Sequence, residues 1–120
     1  MINMDIDKLT VGEFLYQVFT SWWELQDEMG RVKTAKISRN GDIIQMECAV
    51  GQFTPKERSA FGELIPLGAK KACFTQNIQE TDTLEIDGET YQPLLVSDLP
   101  WGQITEYIVA LVPEQQGGGQ

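Results

Sequence analysis

Carboxylates are the reactive groups this sequence offers in quantity, and they crowd most closely in "EIDGE", where Glu85, Asp87 and Glu89 surround Gly88. Side chains so spaced could serve a calcium loop, which needs oxygen ligands at fixed offsets around its glycine. Placing Gly88 at the sixth position of such a loop puts Thr83 first and Leu94 twelfth, where acidic ligands are required. The three carboxylates are therefore expected to be turn and solvent-facing groups, and no metal is expected.

The other routes to chemistry are equally bare. The chain has no histidine, hence neither the usual near-neutral proton shuttle nor the commonest transition-metal ligand. Ser21, Ser38, Ser59 and Ser97 lack a histidine partner and a G-x-S-x-G elbow, and there is no G-x-x-x-x-G-K-[ST] phosphate loop. Cys48 and Cys73 lie far apart outside any C-x-x-C pattern, which suits reduced thiols filling a core. No catalytic residue and no cofactor are expected, and an acid pair of the glycosidase kind has no spacing argument to select it.

Charge points the same way. Residues 1–71 hold all nine Lys and Arg against ten acids, whereas 72–120 hold eight acids and no base. Such a surface repels phosphate backbones, so nucleic acid is expected to pass by without being clamped. The acidic start "MINMDIDKL" lacks a basic leader region, and no apolar run approaches the roughly 20 residues that span a bilayer, so a soluble protein without membrane contact is expected.

The elements that would position these groups are legible in the periodicity. Thr10 and Glu13 form a capping-box signature at the head of "VGEFLYQVFTSWWELQDEMG". Val11, Leu15, Val18, Trp22, Leu25 and Met29 follow at helical steps, predicting a helix over about residues 10–29, ended by Gly30, with Phe14, Phe19 and Trp23 widening its apolar stripe. From Arg31 the period changes to two. "RVKTAKIS" and "DIIQMECAV" flank Asn40-Gly41, which predicts a type I′ hairpin pairing Ile37 with Ile44 and Ala35 with Met46, and bringing Lys33 near Cys48. "KKACFTQ", "DTLEI", "ETYQPLLV" and "QITEYIVALV" complete the strand set, with a second hairpin at Asp87-Gly88 and with Pro93 confined to an edge or bulge. The fold class is mainly β: a small antiparallel barrel or sandwich of five to six strands in one domain over 1–112, with an N-terminal helix and a flexible tail at 113–120.

Between the strands, "GQFTPKERSAFGELIPLGA" (51–69) reads as a long inserted loop. Its Phe53, Phe61, Leu64, Ile65 and Leu67 are apolar for such a position, so some must bury against the barrel or against another chain. Phe53, Thr54, Pro55, Lys56, Glu57, Arg58, Phe61, Leu64 and Ile65 are the candidate contact residues here. Trp22 and Trp23 point about 100° apart, so they are either a partner anchor or a core residue beside a strand-edge cover. Trp101 in "LPWGQ" is either an interface anchor or packed over its Pro-Gly turn.

From Asp42 to Val112 the order of features resembles the collar, stopper or head-completion proteins at the head-tail joint of tailed bacteriophages. The resemblance rests on "VGQFTPKE" with Pro55 and Glu57, "IPLGAKK" with Pro66 and Gly68, "DTLEIDGETY" with Leu84, Ile86, Gly88 and Tyr91, and "GQITEYIVAL" with Gly102, Tyr107 and Leu111. It covers about three fifths of the chain and leaves out the N-terminal helix. It implies a structural virion protein of the neck, made in the host bacterial cytoplasm and assembled as a six- or twelvefold ring. Such a ring joins the portal or adaptor protein to the tail terminator or tail tube and helps retain packaged DNA. Two other expectations stand beside it: a different neck, tail-terminator or baseplate component, or a non-viral adaptor with Trp22, Trp23 and Trp101 as a peptide site.

Overall fold

The computed structural model describes residues 10–114. Helix α1 (Val11–Glu28) leads into six strands, β1 (Val32–Arg39), β2 (Asp42–Gly51), β3 (Lys70–Phe74), β4 (Thr83–Ile86), β5 (Glu89–Trp101) and β6 (Ile104–Pro113). A second helix, α2 (Pro55–Phe61), and a 3-10 turn (Gly62–Leu64) lie between β2 and β3. The strands close into an antiparallel barrel in the order β1-β2-β3-β6-β5-β4.

Local chemistry sets the boundaries of α1. The Thr10 hydroxyl accepts from the Glu13 N–H at 3.0 Å while Glu13 accepts from the Thr10 N–H at 2.9 Å. At the far end Gly30, at φ 73°, allows the Arg31 and Gly30 N–H groups to donate back to Gln26 O and Asp27 O, a Schellman closure. Both hairpins turn as expected: Asn40 and Gly41 have φ of 53° and 85°, Asp87 and Gly88 of 53° and 81°. The first sets the expected register, with Lys33 opposite Cys48, Ala35 opposite Met46 and Ile37 opposite Ile44. Pro93 pairs with Leu111 of β6 beyond the last β4–β5 pair, where a missing N–H costs no ladder bond.

The barrel interior is filled by Ala35, Ile37, Met46, Cys48, Ala72, Phe74, Leu84, Ile86, Tyr91, Val109 and Leu111. A second apolar layer lies outside the wall, built from Ala49, Phe53, Ile65, Ala69, Cys73, Ile108 and Ala110. Strands β2, β3 and β6 are thus buried on both faces, which is why "CAV", "ACF" and "IVAL" lose the alternation that β1 keeps. The outer layer is where α1 and α2 sit.

Three expectations are corrected. The segment 51–69 is not a bare loop, because Thr54 and Glu57 form a second capping box, with Pro55 at the first helical position, and start α2. Strand β5 continues past Val96 through "SDLPW" to Trp101, with a bulge between Leu95 and Ser97. The tail does not begin at Pro113, which ends β6, and the Glu114 N–H still donates to Thr90 O at 3.0 Å. The rest of that tail, 115–120, and residues 1–9 lie outside the described residues.

Strand β4 is held by three paired positions on each side, to β5 and, at the seam that closes the barrel, to β1. Beside it, Arg39 at the end of β1 donates to both carboxylate oxygens of the fully buried Asp82, at 2.8 and 2.7 Å, and to Asn77 O at 3.2 Å. Asp82 also accepts from the Gln79 N–H at 2.9 Å, so the crossover from β3 to β4 is pinned to the seam by one bidentate pair.

Candidate interaction surface

Helix α1 lies on the outer layer through an aromatic knot. Phe19 is buried, with its ring centroid 5.7 Å from Trp22, 5.9 Å from Trp23 and 6.1 Å from Trp101. The indole N–H of Trp101 donates to the buried Glu106 at 2.9 Å, which fixes the end of the β5–β6 hairpin against the helix. The backbones of Gly12 and Gly102 meet so closely that a Cβ on Gly12 would touch Gly102 Cα at 3.6 Å.

This packing decides which part of the wide apolar stripe of α1 meets the barrel. The helix buries Phe19 and Gln26 and half-buries Trp22 and Trp23, while Val11, Phe14, Val18, Leu25 and Met29 remain exposed, Val11 at 76%. Phe19, Trp22 and Trp23 together offer the most area to remove from water, so their face takes the barrel and the stripe with Val11, Phe14, Val18, Leu25 and Met29 is left outside.

Segment 53–65 divides similarly. Phe53 and Ile65 are buried in the outer layer, Phe61 packs on it half-buried, and the Arg58 guanidinium lies 5.9 Å from the Phe53 ring centre. Thr54 is spent on capping α2, and Glu57 accepts a hydrogen bond from the Lys71 ammonium. Burial pushes the Glu57 carboxyl up, but the Lys71 bond and the Thr54 N–H outweigh it and hold the group below its ordinary value. Exposed at this end are Thr54, Pro55, Lys56 and Leu64, joined by Leu67, which is 97% exposed. Trp22, Trp23 and Trp101 come together around Phe19, where their rings attach the helix to the barrel.

A groove of about 290 Å³ runs between the elements, with Val18 and Trp22 on the α1 side, Glu57 and Lys71 across from them, and Leu99 and Trp101 from β5. Its charged groups are already committed: Glu57 pairs with Lys71, and Glu106 accepts from Trp101. Among the described residues, no group of three His, Cys, Asp or Glu side chains is placed to hold a metal. None of their helices is long and apolar enough to cross a membrane.

Both thiols are sealed. Burial, then the charges of Asp87 and Glu47, push the Cys48 thiol up to about 12, and burial followed by the Glu106 charge raises Cys73 still further. A chromogenic disulfide reagent at pH 8 is expected to find neither thiol in the native protein and both in denaturant. Rapid labelling of either without unfolding would contradict this burial.

Compared with known protein families, curated proteins and solved structures, the chain finds no match.

Proposed function

We propose that this protein is a structural subunit of the neck of a tailed-bacteriophage virion. It forms a ring that joins the portal or adaptor protein to the tail and helps retain packaged DNA. The observation that carries this reading is apolar surface left wet at Leu64 and Leu67, on the 51–69 segment whose apolar residues make it a candidate for contact with another chain.

Several features are compatible with it. A ring needs two different faces that meet head to tail. Lys56 and Arg58, on the same segment as Leu64, supply one, and the exposed acids Glu85 and Glu89 of the β4–β5 hairpin, which contains no base, supply an opposite charge for the neighbour. The motif residues stand where a barrel can use them, with Leu84, Ile86, Tyr91 and Leu111 inward and Gly88 and Gly102 in tight turns. Eight acids without a base after residue 71 suit a conduit wall that must not hold DNA.

The test is sedimentation of wild type and Leu67→Asp, mixed with the portal and tail proteins of the same virion. The wild type is expected to sediment as a closed oligomer. Leu67→Asp, which alters an exposed residue with nothing to unfold, is expected to drop to the monomer at the same concentration. Indistinguishable sedimentation of the two would remove this segment from the ring contact.

A further inference from the structure

We propose that the uncovered face of α1 is a docking surface for a basic amphipathic helix of a different polypeptide. Val11, Phe14, Val18, Leu25 and Met29 recur at three-, four- and seven-residue steps, so they form one stripe along the whole helix. At 1.5 Å per residue the stripe is about 27 Å long, enough for a partner helix of several turns. Along its middle it opens into the groove walled by Val18, Trp22, Leu99 and Trp101, so an apolar side chain laid on the stripe has a depression to enter.

Charge selects the occupant. Helix α1 carries Glu13, Glu24, Asp27 and Glu28 and not one Lys or Arg. A second copy laid parallel would set Glu24, Asp27 and Glu28 against their own counterparts, and laid antiparallel would bring them toward Glu13, with no base on either helix to offset them; an anionic lipid surface or nucleic acid would be repelled. Glu24, Asp27 and Glu28 also stand near the C-terminal end of α1, where the helix dipole is already negative and where no basic residue occupies the last turn. Three acids at that end are locally unfavourable, and the one base beside them, Arg31, donates to Gln26 at 3.4 Å, so cations brought in by a partner add compensation that the chain supplies only once. The nearest base in the groove, Lys71, is taken by Glu57.

The proposal is independent of the ring reading, and the stripe and its groove share no residue with the Leu64 and Leu67 contact, so its failure and that of the ring are distinguishable. The probes are three synthetic peptides: one with leucines at helical spacing and lysines on the flanks, one with glutamates replacing the lysines, and a scrambled lysine-leucine peptide of the same composition. Binding to the full chain is read by calorimetry and by tryptophan emission, since Trp22 and Trp101 line the groove. The lysine helix is expected to bind, and the other two are not. Val18→Asp is expected to weaken binding at least about tenfold, with an unchanged melting curve and unchanged ring assembly. Glu24→Lys combined with Glu28→Lys alters only exposed side chains and is expected to transfer preference to the glutamate peptide. The proposal is overturned by equal binding of the scrambled peptide, by no binding of the lysine helix, or by indifference to Val18→Asp. Loss of self-association in Val18→Asp would overturn it too, because the stripe would then belong to a second copy.

Discussion

Replacing Asp82 by alanine is expected to lower the stability of the barrel by about 3 kcal/mol, toward the lower end of what breaking a buried ion pair costs. The lower end applies because Asp82 is fully buried while the Arg39 side chain keeps 22% of its surface in water and can be partly rehydrated. The loss is still large because of where the pair lies. It holds the β3–β4 crossover beside the three-position β1–β4 seam, so the barrel loses its closure and not only a contact. Chemical denaturation of Asp82→Ala against wild type measures it, and a change of less than about 1 kcal/mol would contradict the role assigned to the pair. The double variant Arg39→Met with Asp82→Leu is expected to regain much of the loss, since no uncompensated charge is then left in the wall.

The same pair gives the acid limb of stability a definite sign. Hydrogen bonds from Arg39 hold the Asp82 carboxyl below its ordinary value of 3.8, against the opposing effect of burial and with help from the Gln79 N–H. A carboxyl depressed in the folded state binds its proton more readily when unfolded. Its contribution is therefore complete above about pH 4 and is lost as pH falls through the folded value. Asp82→Asn is expected to flatten that part of the stability profile.

Gly102→Ala is expected to detach the N-terminal end of α1. Gly102 sits at φ 71°, which already disfavours a side chain. A Cβ there would overlap the carbonyl oxygen of Gly12, lie 2.9 Å from its carbonyl carbon and press on Tyr16 Cβ at 3.3 Å. The obstacles are largely backbone, so the β5–β6 turn or the helix must move, and a loss of about 2 to 3 kcal/mol is expected. Tryptophan emission is expected to shift to the red as Trp22, Trp23 and Trp101 separate around Phe19. Gly41→Ala is the control: its φ of 85° is equally unfavourable, but nothing lies within 4 Å of the added methyl, so a loss of about 1 kcal/mol with no emission shift is expected. Equal effects of the two substitutions would show that the Gly12–Gly102 contact does not hold the helix.

Both hairpins were legible in the sequence because Asn40-Gly41 and Asp87-Gly88 dictate turn type, and turn type dictates register. The capping of α1 was legible for the same local reason. Its orientation was not, because the helical spacing supports two overlapping apolar faces, and only the outer layer of the barrel decides between them. A signal for that layer was nevertheless present: "CAV", "ACF" and "IVAL" are apolar on consecutive positions, as strands covered on both sides must be. Helix α2 carried the same capping grammar as α1 in "TPKE", but its seven residues are too few for an apolar period to stand out. Asp82 looked like an ordinary loop acid, since its partner lies 43 residues away in sequence and pairing at that range leaves no local mark. Of the candidate contact residues, Phe53, Ile65 and the tryptophans are engaged within the chain itself. Exposure singled out Leu67 and the aliphatic stripe of α1, which residue type alone could not rank.

The assembly proposed for these surfaces is read most directly from the native mass of the full chain in the presence of its portal and tail neighbours. The account predicts a single closed ring, six- or twelvefold, that survives transfer intact. A stable monomer under those conditions, with the neighbours bound to one another and not to this chain, would contradict it.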